Sequence, residues 1–276
     1  MAEKIKLEKN TVSETLVLPL WGRACCAKKY PDIFPDEEAE KMVAALDYDF
    51  SGLNYKEFVM MTWALRKKML CDRAKEYLKT YPKATIINLG CGVDSCFSYV
   101  DNGKCHVINL DLPEVIAVRE MWMDCAEREK NVAADAFDLS WCEEIETALK
   151  DGVFIISGGV FMYFEAEKLQ NFFAELAERF PGGGICFDAE NSKGVEKSNR
   201  VLEKSGNRGA KILFAVDDAE DTFRSWSSHF GEILAFDRLP TDVAKEKSLP
   251  LLTKIILGMG FKMGMIKFVE IHFQKE

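Results

Sequence analysis

Three histidines in 276 residues, no Cys-x-x-Cys pair, and no excess of basic charge set the first exclusions. His106, His229 and His272 are too few and too scattered for a zinc centre. The nine cysteines are odd in number, with Cys25 and Cys26 adjacent and Cys91 and Cys96 five apart, a spacing that suits neither a metal knuckle nor a paired disulfide framework. They read as reduced, buried thiols of a cytosolic protein. Lysine and arginine total 36 against 45 acids, a net charge of −9, so a groove for nucleic acid is not expected. That total leaves room for a local basic pocket. The most apolar stretch, LPLLTKIILGMGFKMGMIKFV, is interrupted by three lysines and several glycines, which argues against a membrane span. The opening MAEKIKLEKN is charged and lacks the apolar segment of a secretory signal. The expectation is a soluble, cytoplasmic protein without internal repeats.

What is present is ample apolar material, 48% of the chain, arranged in two rhythms. Residues 1 to about 83 read as helical. PDEEAEKMVAAL has Pro35 near a helix start and acids in its first turn. In 54–81 the apolar Phe58, Met61, Leu65 and Met69 recur every three to four residues up to Pro82, which predicts one long helix or two abutting ones. From Ala84 onward short strand-like runs alternate with helical ones. The strands are TIINLG, HVINLD, VAADAF, GVFIISGG, GICFDAE, EILAFD and MIKFVEIHF. Between them lie LPEVIAVREMWMDCAERE, SWCEEIETALK, EAEKLQNFFAELAERF and NSKGVEKSNRVLEKS. Several strands are apolar throughout, as in a sheet covered on both faces. The alternation predicts an α/β fold with a doubly wound, mostly parallel seven-stranded sheet. MIKFVEIHF follows Gly258, Gly260 and Gly264 with no crossover helix expected, so it reads as an antiparallel closing strand. The division expected is an N-terminal helical cap, 1–83, attached to a core of 84–276.

The residues IINLGCGVDSCFSYVDNGKCHVINLDLP carry the chemistry. Gly90 and Gly92 follow the first strand, where ligands sit in an open parallel sheet. Without Cβ atoms they let a ligand approach the backbone. Asp111 ends the next strand, where a carboxylate accepts hydrogen bonds from ribose hydroxyls. The pattern points to a nucleoside-containing cofactor. A dinucleotide fingerprint wants a third glycine and a helix start free of negative charge. Here Ser95 holds the third place and Asp94 stands at the helix start. An acid there repels a pyrophosphate and suits S-adenosylmethionine, which carries a sulfonium and an ammonium.

The ordered phrases NTVSETLVLPLWGRA, ALRKKMLCD, IINLGCGVD, NLDLPEV, AADAFDL and GGVFMYF resemble the leucine carboxyl methyltransferase superfamily, most of all its tetracenomycin-type polyketide O-methyltransferases. The resemblance runs from about residue 10 to 190 and implies a class I methyltransferase fold, Rossmann-like, using S-adenosylmethionine. It implies that Arg66 grips the cofactor carboxylate. Gly90, with Gly92, lines the methionine portion; Asp111, with Leu112, meets the ribose; Asp135 and Ala136 border the adenine. One departure is visible. Where members usually carry a glutamate after the fourth strand, this chain has Gly158 in ISGGVFMYF. That loss removes one partner for the cofactor's ammonium and moves the chain toward small-molecule relatives.

Methyl transfer is an in-line displacement in which the protein aligns the partners and excludes water. A carboxylate acceptor needs a cation to hold it, and Arg23 is the candidate. A phenol benefits from a base. His229 and Tyr163 are the candidates there, with Tyr163 also able to close the pocket. Asp188 and Glu190, two apart at a strand end, fall on one side. They suit Mg²⁺ only with a third ligand that the sequence does not supply, so no metal is expected. Trp21, Tyr30, Phe34, Met60, Met61 and Trp63 read first as core contacts between cap and sheet, with a fraction left to wall an apolar pocket for an aromatic acceptor. The leading reading is a small-molecule O-methyltransferase. The alternatives are a protein C-terminal carboxyl methyltransferase, a non-catalytic S-adenosylmethionine-binding protein, and an NAD-dependent oxidoreductase.

Overall fold

TIINL and VFIIS are buried at every position, which follows from helices covering both faces of the sheet they form. In the computed structural model, residues 5–6, 12–53, 55–143, 151–205 and 211–275 are described. Seven strands make one sheet: β1 (Thr85–Leu89), β2 (His106–Asp111), β3 (Glu129–Ala133), β4 (Val153–Ser157), β5 (Gly184–Ala189), β6 (Phe230–Phe236) and β7 (Lys267–Phe273). Their order is β3-β2-β1-β4-β5-β7-β6. The first five are parallel, and β7 runs antiparallel to both β5 and β6. The strand order reverses at β1, which pairs with β2 on one side and β4 on the other. A crevice opens at the carboxyl ends there. Register aligns Leu89 with Leu110 and with Ser157, so Gly90, Asp111 and Gly158 emerge side by side.

The helices are α1 (Val12–Lys29), α2 (Glu37–Ala45), α3 (Glu57–Thr80), α4 (Phe97–Val100), α5 (Pro113–Trp122), α6 (Ala166–Arg179), α7 (Ser192–Ser205), α8 (Ala219–Phe223), α9 (Thr241–Lys245) and α10 (Leu251–Lys262). A two-residue parallel ladder joins Ile5–Lys6 to Leu46–Asp47. On one face of the sheet, Met61, Leu65 and Leu70 of α3 pack on Ile86, Phe154 and Ile156. On the other, Leu169, Phe173 and Leu176 of α6 pack on Ile155, Phe187 and Ile271. α1 and α2 form a third cluster through Val17, Leu20, Ala39 and Met42. α3 is one continuous helix.

Two expectations need correction. The strand expected at 132–137 spans Glu129–Ala133. It stops because Asp135 turns the chain, its Oδ1 accepting from Phe137 N at 3.0 Å. The approach to β7 was expected to lack a helix, yet α10 contains Gly258 and Gly260. Burial of Leu257 and Phe261 outweighs the helix penalty of about 1 kcal/mol per glycine. Gly260 also permits a close approach, since a Cβ there would lie 2.9 Å from Ile266. The expected helix SWCEEIETALK lies partly outside the described residues, from 144 to 150.

Candidate functional site

The turn after β1 is fixed before any ligand arrives. Gly90 and Gly92 have φ of +67° and +50°, a region costly for other residues. A Cβ on Gly90 would come 2.2 Å from Val160 Cγ2, so the turn packs directly against the segment after β4. Gly92 N donates to Asp111 Oδ2 at 2.8 Å, and Leu112 N donates to Asp111 Oδ1 at 2.8 Å. The carboxylate is thus aimed, with one lone-pair site left on each oxygen. Burial pushes its pKa up, and the two amide bonds work against that shift. Arg119, 1% exposed, ties the turn from below through Gly92 O (3.3 Å) and Asp94 O (2.7 Å).

The glycine turn and Asp111 line a cavity of about 460 Å³. Of the residues singled out in the sequence, it gathers Arg23, Arg66, Gly90, Gly92, Asp111, Gly158 and Tyr163. Leu112, Asp135 and Ala136 lie outside its lining, on the neighbouring strand ends. Leu112 is 43% exposed and Asp135 is exposed, forming an open shelf beyond Asp111.

Gly158 has a structural consequence the sequence did not reveal. The Arg66 side chain runs over it, and a Cβ at Gly158 would lie 2.9 Å from Arg66 Cδ. The next glycine, Gly159, has φ +75°, and a Cβ there would fall 2.7 Å from Arg66 Nη1. The space of the missing glutamate is therefore filled by arginine. Arg66 Nε pairs with Asp188 Oδ2 at 2.8 Å, and Gly159 N donates to Asp188 Oδ1 at 2.6 Å. No protein partner stands at the terminal Arg66 nitrogens among the described residues. They remain available to an anionic group.

The role expected for Arg23 requires correction. Instead of facing an acceptor, it is 7% exposed and engaged on several sides. Its Nε meets Asp36 Oδ2 at 3.0 Å, and its Nη2 meets Val93 O at 3.2 Å and Asp94 Oδ1 at 3.7 Å. Lys67, which follows Arg66, is buried in the same cluster, 2.9 Å from Asp36 and 3.2 Å from Asp94. Burial opposes the charge on all three of Arg23, Lys67 and Asp94. Attraction nevertheless wins, raising the two cations and lowering Asp94. Asp94 was expected to begin a helix and repel phosphate. It lies before α4, and Arg23 and Lys67 compensate its charge.

His229 is exposed and precedes β6 at the amino end of the parallel strands, on the opposite edge of the sheet from the cavity. It is therefore not placed to serve as the base. Tyr163 lines the cavity beside Arg66, and burial pushes its phenol pKa up, with Arg66 opposing.

A second cavity of about 390 Å³ shares Arg66 with the first. Its walls are Phe58 and Thr62 of α3, Met259 of α10, and Met263, Met265 and Ile266 just beyond that helix. Its floor is Asp188, Ala189 and Glu190 at the end of β5. The N-terminal aromatics and methionines divide between core and cavity, as expected. Tyr30, Phe34 and Met61 are core, and Trp63 faces the first cavity, where Gly22 makes room for it. Of this cavity, the sequence singles out Asp188 and Glu190 at the strand end, but not the methionines that wall it.

The family model of the leucine carboxyl methyltransferases matches residues 17–177, more than half of the chain. The chain belongs to the leucine carboxyl methyltransferase family. It is a methyltransferase whose methyl donor is S-adenosylmethionine. It is 25% identical over 190 residues to the tetracenomycin polyketide synthesis O-methyltransferase TcmP of Streptomyces glaucescens, covering 68% of this chain and 69% of that one. It is 24% identical over 239 residues to the S-adenosyl-L-methionine-dependent methyltransferase dpfgK of Gibberella zeae, covering 79% and 80%. Among solved structures, a DUF574 family protein of Streptomyces avermitilis superposes with a TM-score of 0.54 at 14% identity, covering 91% of this chain and 97% of that one. The strand order and this likeness are those of the class I methyltransferase fold.

The first cavity fits the donor on its own chemistry. Asp111 retains acceptor capacity for ribose hydroxyls, Arg66 retains terminal donors for a carboxylate, and the positive-φ glycines leave backbone bare between them. Among the described residues, no three His, Cys, Asp or Glu side chains converge as a metal cluster, and no helix is long and apolar enough to cross a membrane.

Proposed function

We propose that this family member transfers methyl to an oxygen of an apolar small molecule held in the second cavity. The supporting observation is that two cavities meet at one ion pair, Arg66–Asp188. In this reading Arg66 offers its terminal nitrogens to the donor's carboxylate. Gly90 and Gly92 line the methionine portion, and Gly158 allows the arginine to reach it. Asp111 holds the ribose, and the exposed shelf of Leu112, Asp135 and Ala136 receives the adenine. Bound there, the donor supplies an electrophilic methyl group. The protein's own contribution is alignment and the exclusion of water by Tyr163, Phe58, Met259, Met263 and Met265. A concave chamber of this volume walled by apolar side chains suits a small molecule better than a protein tail. TcmP, named for polyketide O-methylation, offers a parallel for the acceptor class.

The test is methyl transfer from isotopically labelled donor to two panels, aromatic hydroxy compounds and peptides ending in a free carboxylate. Label in alkali-stable ethers supports the proposal. Label found only in alkali-labile peptide esters contradicts it and favours protein carboxyl methylation.

A further inference from the structure

Asp188 and Glu190 both reach the second cavity, yet they are not equivalent. Asp188 has both oxygens engaged, one by Arg66 and one by Gly159 N. Glu190 receives a single protein hydrogen, from Ser198 Oγ, which lies 3.1 Å from Oε1 and 2.8 Å from Oε2. Four lone-pair sites share that one donor. Burial pushes the Glu190 pKa up; the serine bond opposes this, and Asp188 adds to it. The result is a half-buried carboxylate, under-supplied with donors, opening into a chamber of methionine and phenylalanine.

The other charged groups nearby do not satisfy it. Arg66 is held by Asp188. Lys267 has its ammonium on Val216 O at 2.9 Å and Asp217 O at 2.6 Å. Lys197 is exposed on the rim, with its ammonium 3.6 Å from Met265 Sδ. Tyr163 stands across the Arg66 seam, lining the first cavity and not the second. A carboxylate acceptor entering here would face two carboxylates, one of them uncompensated. A neutral hydroxyl would instead supply the donor that Glu190 lacks.

We propose that Glu190 binds the hydroxyl of a neutral, apolar, ring-sized acceptor and takes its proton. This rests on the methyltransferase reading above and narrows its acceptor to a hydroxyl. The step balances without a further reagent. The O–H bond breaks with its proton passing to a Glu190 oxygen, and the oxygen–methyl bond forms. The sulfur–methyl bond breaks with its electron pair on sulfur, cancelling the sulfonium charge, and Glu190 afterwards returns the proton to water. Ser198 Oγ is the protein donor with which the acceptor hydroxyl shares Glu190.

The experiment is a binding titration of the full chain saturated with S-adenosylhomocysteine, using 2-naphthol and 2-naphthoate as fluorescent probes. Wild type is expected to bind 2-naphthol saturably and 2-naphthoate at least about tenfold more weakly. E190Q is expected to lose about tenfold in 2-naphthol affinity and to narrow the gap between the probes, with its S-adenosylhomocysteine affinity unchanged. Ser198→Ala keeps the carboxylate and is expected to bind 2-naphthol at least as tightly as wild type. Equal binding of the two probes by wild type overturns the proposal, as does an E190Q protein that binds 2-naphthol normally. A Ser198→Ala loss as large as that of E190Q also overturns it. If E190Q does not fold, the wild-type and Ser198→Ala titrations decide. Failure of wild type to bind S-adenosylhomocysteine at all is a different result, and it removes the methyltransferase reading itself.

Discussion

Arg66 on α3 and Asp188 at the end of β5 form an ion pair of 2.8 Å, and that pair is the partition between the two cavities. It joins the N-terminal helical region to the sheet at the point where, in the proposed function, donor and acceptor meet. One residue faces both ligands, so changes at its partner propagate to the donor. Asp188→Asn is expected to weaken S-adenosylhomocysteine binding by about tenfold through loss of the charged partner that orients Arg66. Calorimetry measures it, with circular dichroism reporting that the fold is kept. Unaltered affinity would show that Arg66 needs no help from Asp188.

The glycine turn gives a second prediction with an internal control. Gly103 has φ +78° and open space around it, so Gly103→Ala is expected to cost only the backbone term, about 1 kcal/mol. Gly90→Ala adds a steric conflict with Val160 at 2.2 Å to the same term. It is expected to destabilise by ~2–4 kcal/mol and to abolish donor binding. Urea denaturation of both variants compares the two costs. Equal costs would mean that Val160 yields freely.

Much of the fold was legible in the sequence, because the seven strands announce themselves by short apolar runs punctuated by glycine and acid. Gly90, Asp111 and Gly158 could be placed at one cavity for the same reason: each follows or ends a recognisable strand. The ion pairs were not legible. Arg66 and Asp188 stand 122 positions apart, and Arg23, Asp36, Lys67 and Asp94 come from four separate segments. A lone cation on a helix looks solvated until its partners arrive by tertiary folding, and so Lys67 was passed over and Arg23 misassigned. α10 was hidden because Gly258 and Gly260 argue against helix, while the packing of Leu257 and Phe261 decides for it.

The buried cluster gives a third prediction. Lys67→Met leaves Asp36 and Asp94 sharing Arg23 alone, and loss of one member of a buried ionic group costs about 3–5 kcal/mol. Chemical denaturation checks it. A cost below about 1 kcal/mol would place the cluster in effective contact with water.

Acid stability gives a fourth. Glu270 on β7, 1% exposed, is held by Arg73 of α3 (Nη2 to Oε1, 3.1 Å) and by His272 Nε2 at 2.6 Å. Burial opposes its charge, but the His272 and Arg73 bonds outweigh it and lower the pKa below the ordinary 4.5. A lowered carboxyl pKa stabilises the fold above 4.5, and that stability is lost as pH falls through the folded-state value. Arg73→Met is expected to remove most of that increment, flattening the stability profile on the acid side of neutrality. A variant with an unchanged slope there would remove Glu270 from the acid response.

The central claim is that Asp111 and the glycine turn hold an adenosyl donor. Calorimetry of S-adenosylhomocysteine against wild type and Asp111→Ala tests it most directly. The account predicts saturable heat with wild type, a loss of ~1–3 kcal/mol in Asp111→Ala, and no heat with NADH. Equal affinity in the two proteins, or heat with NADH and none with the adenosyl ligand, would contradict it.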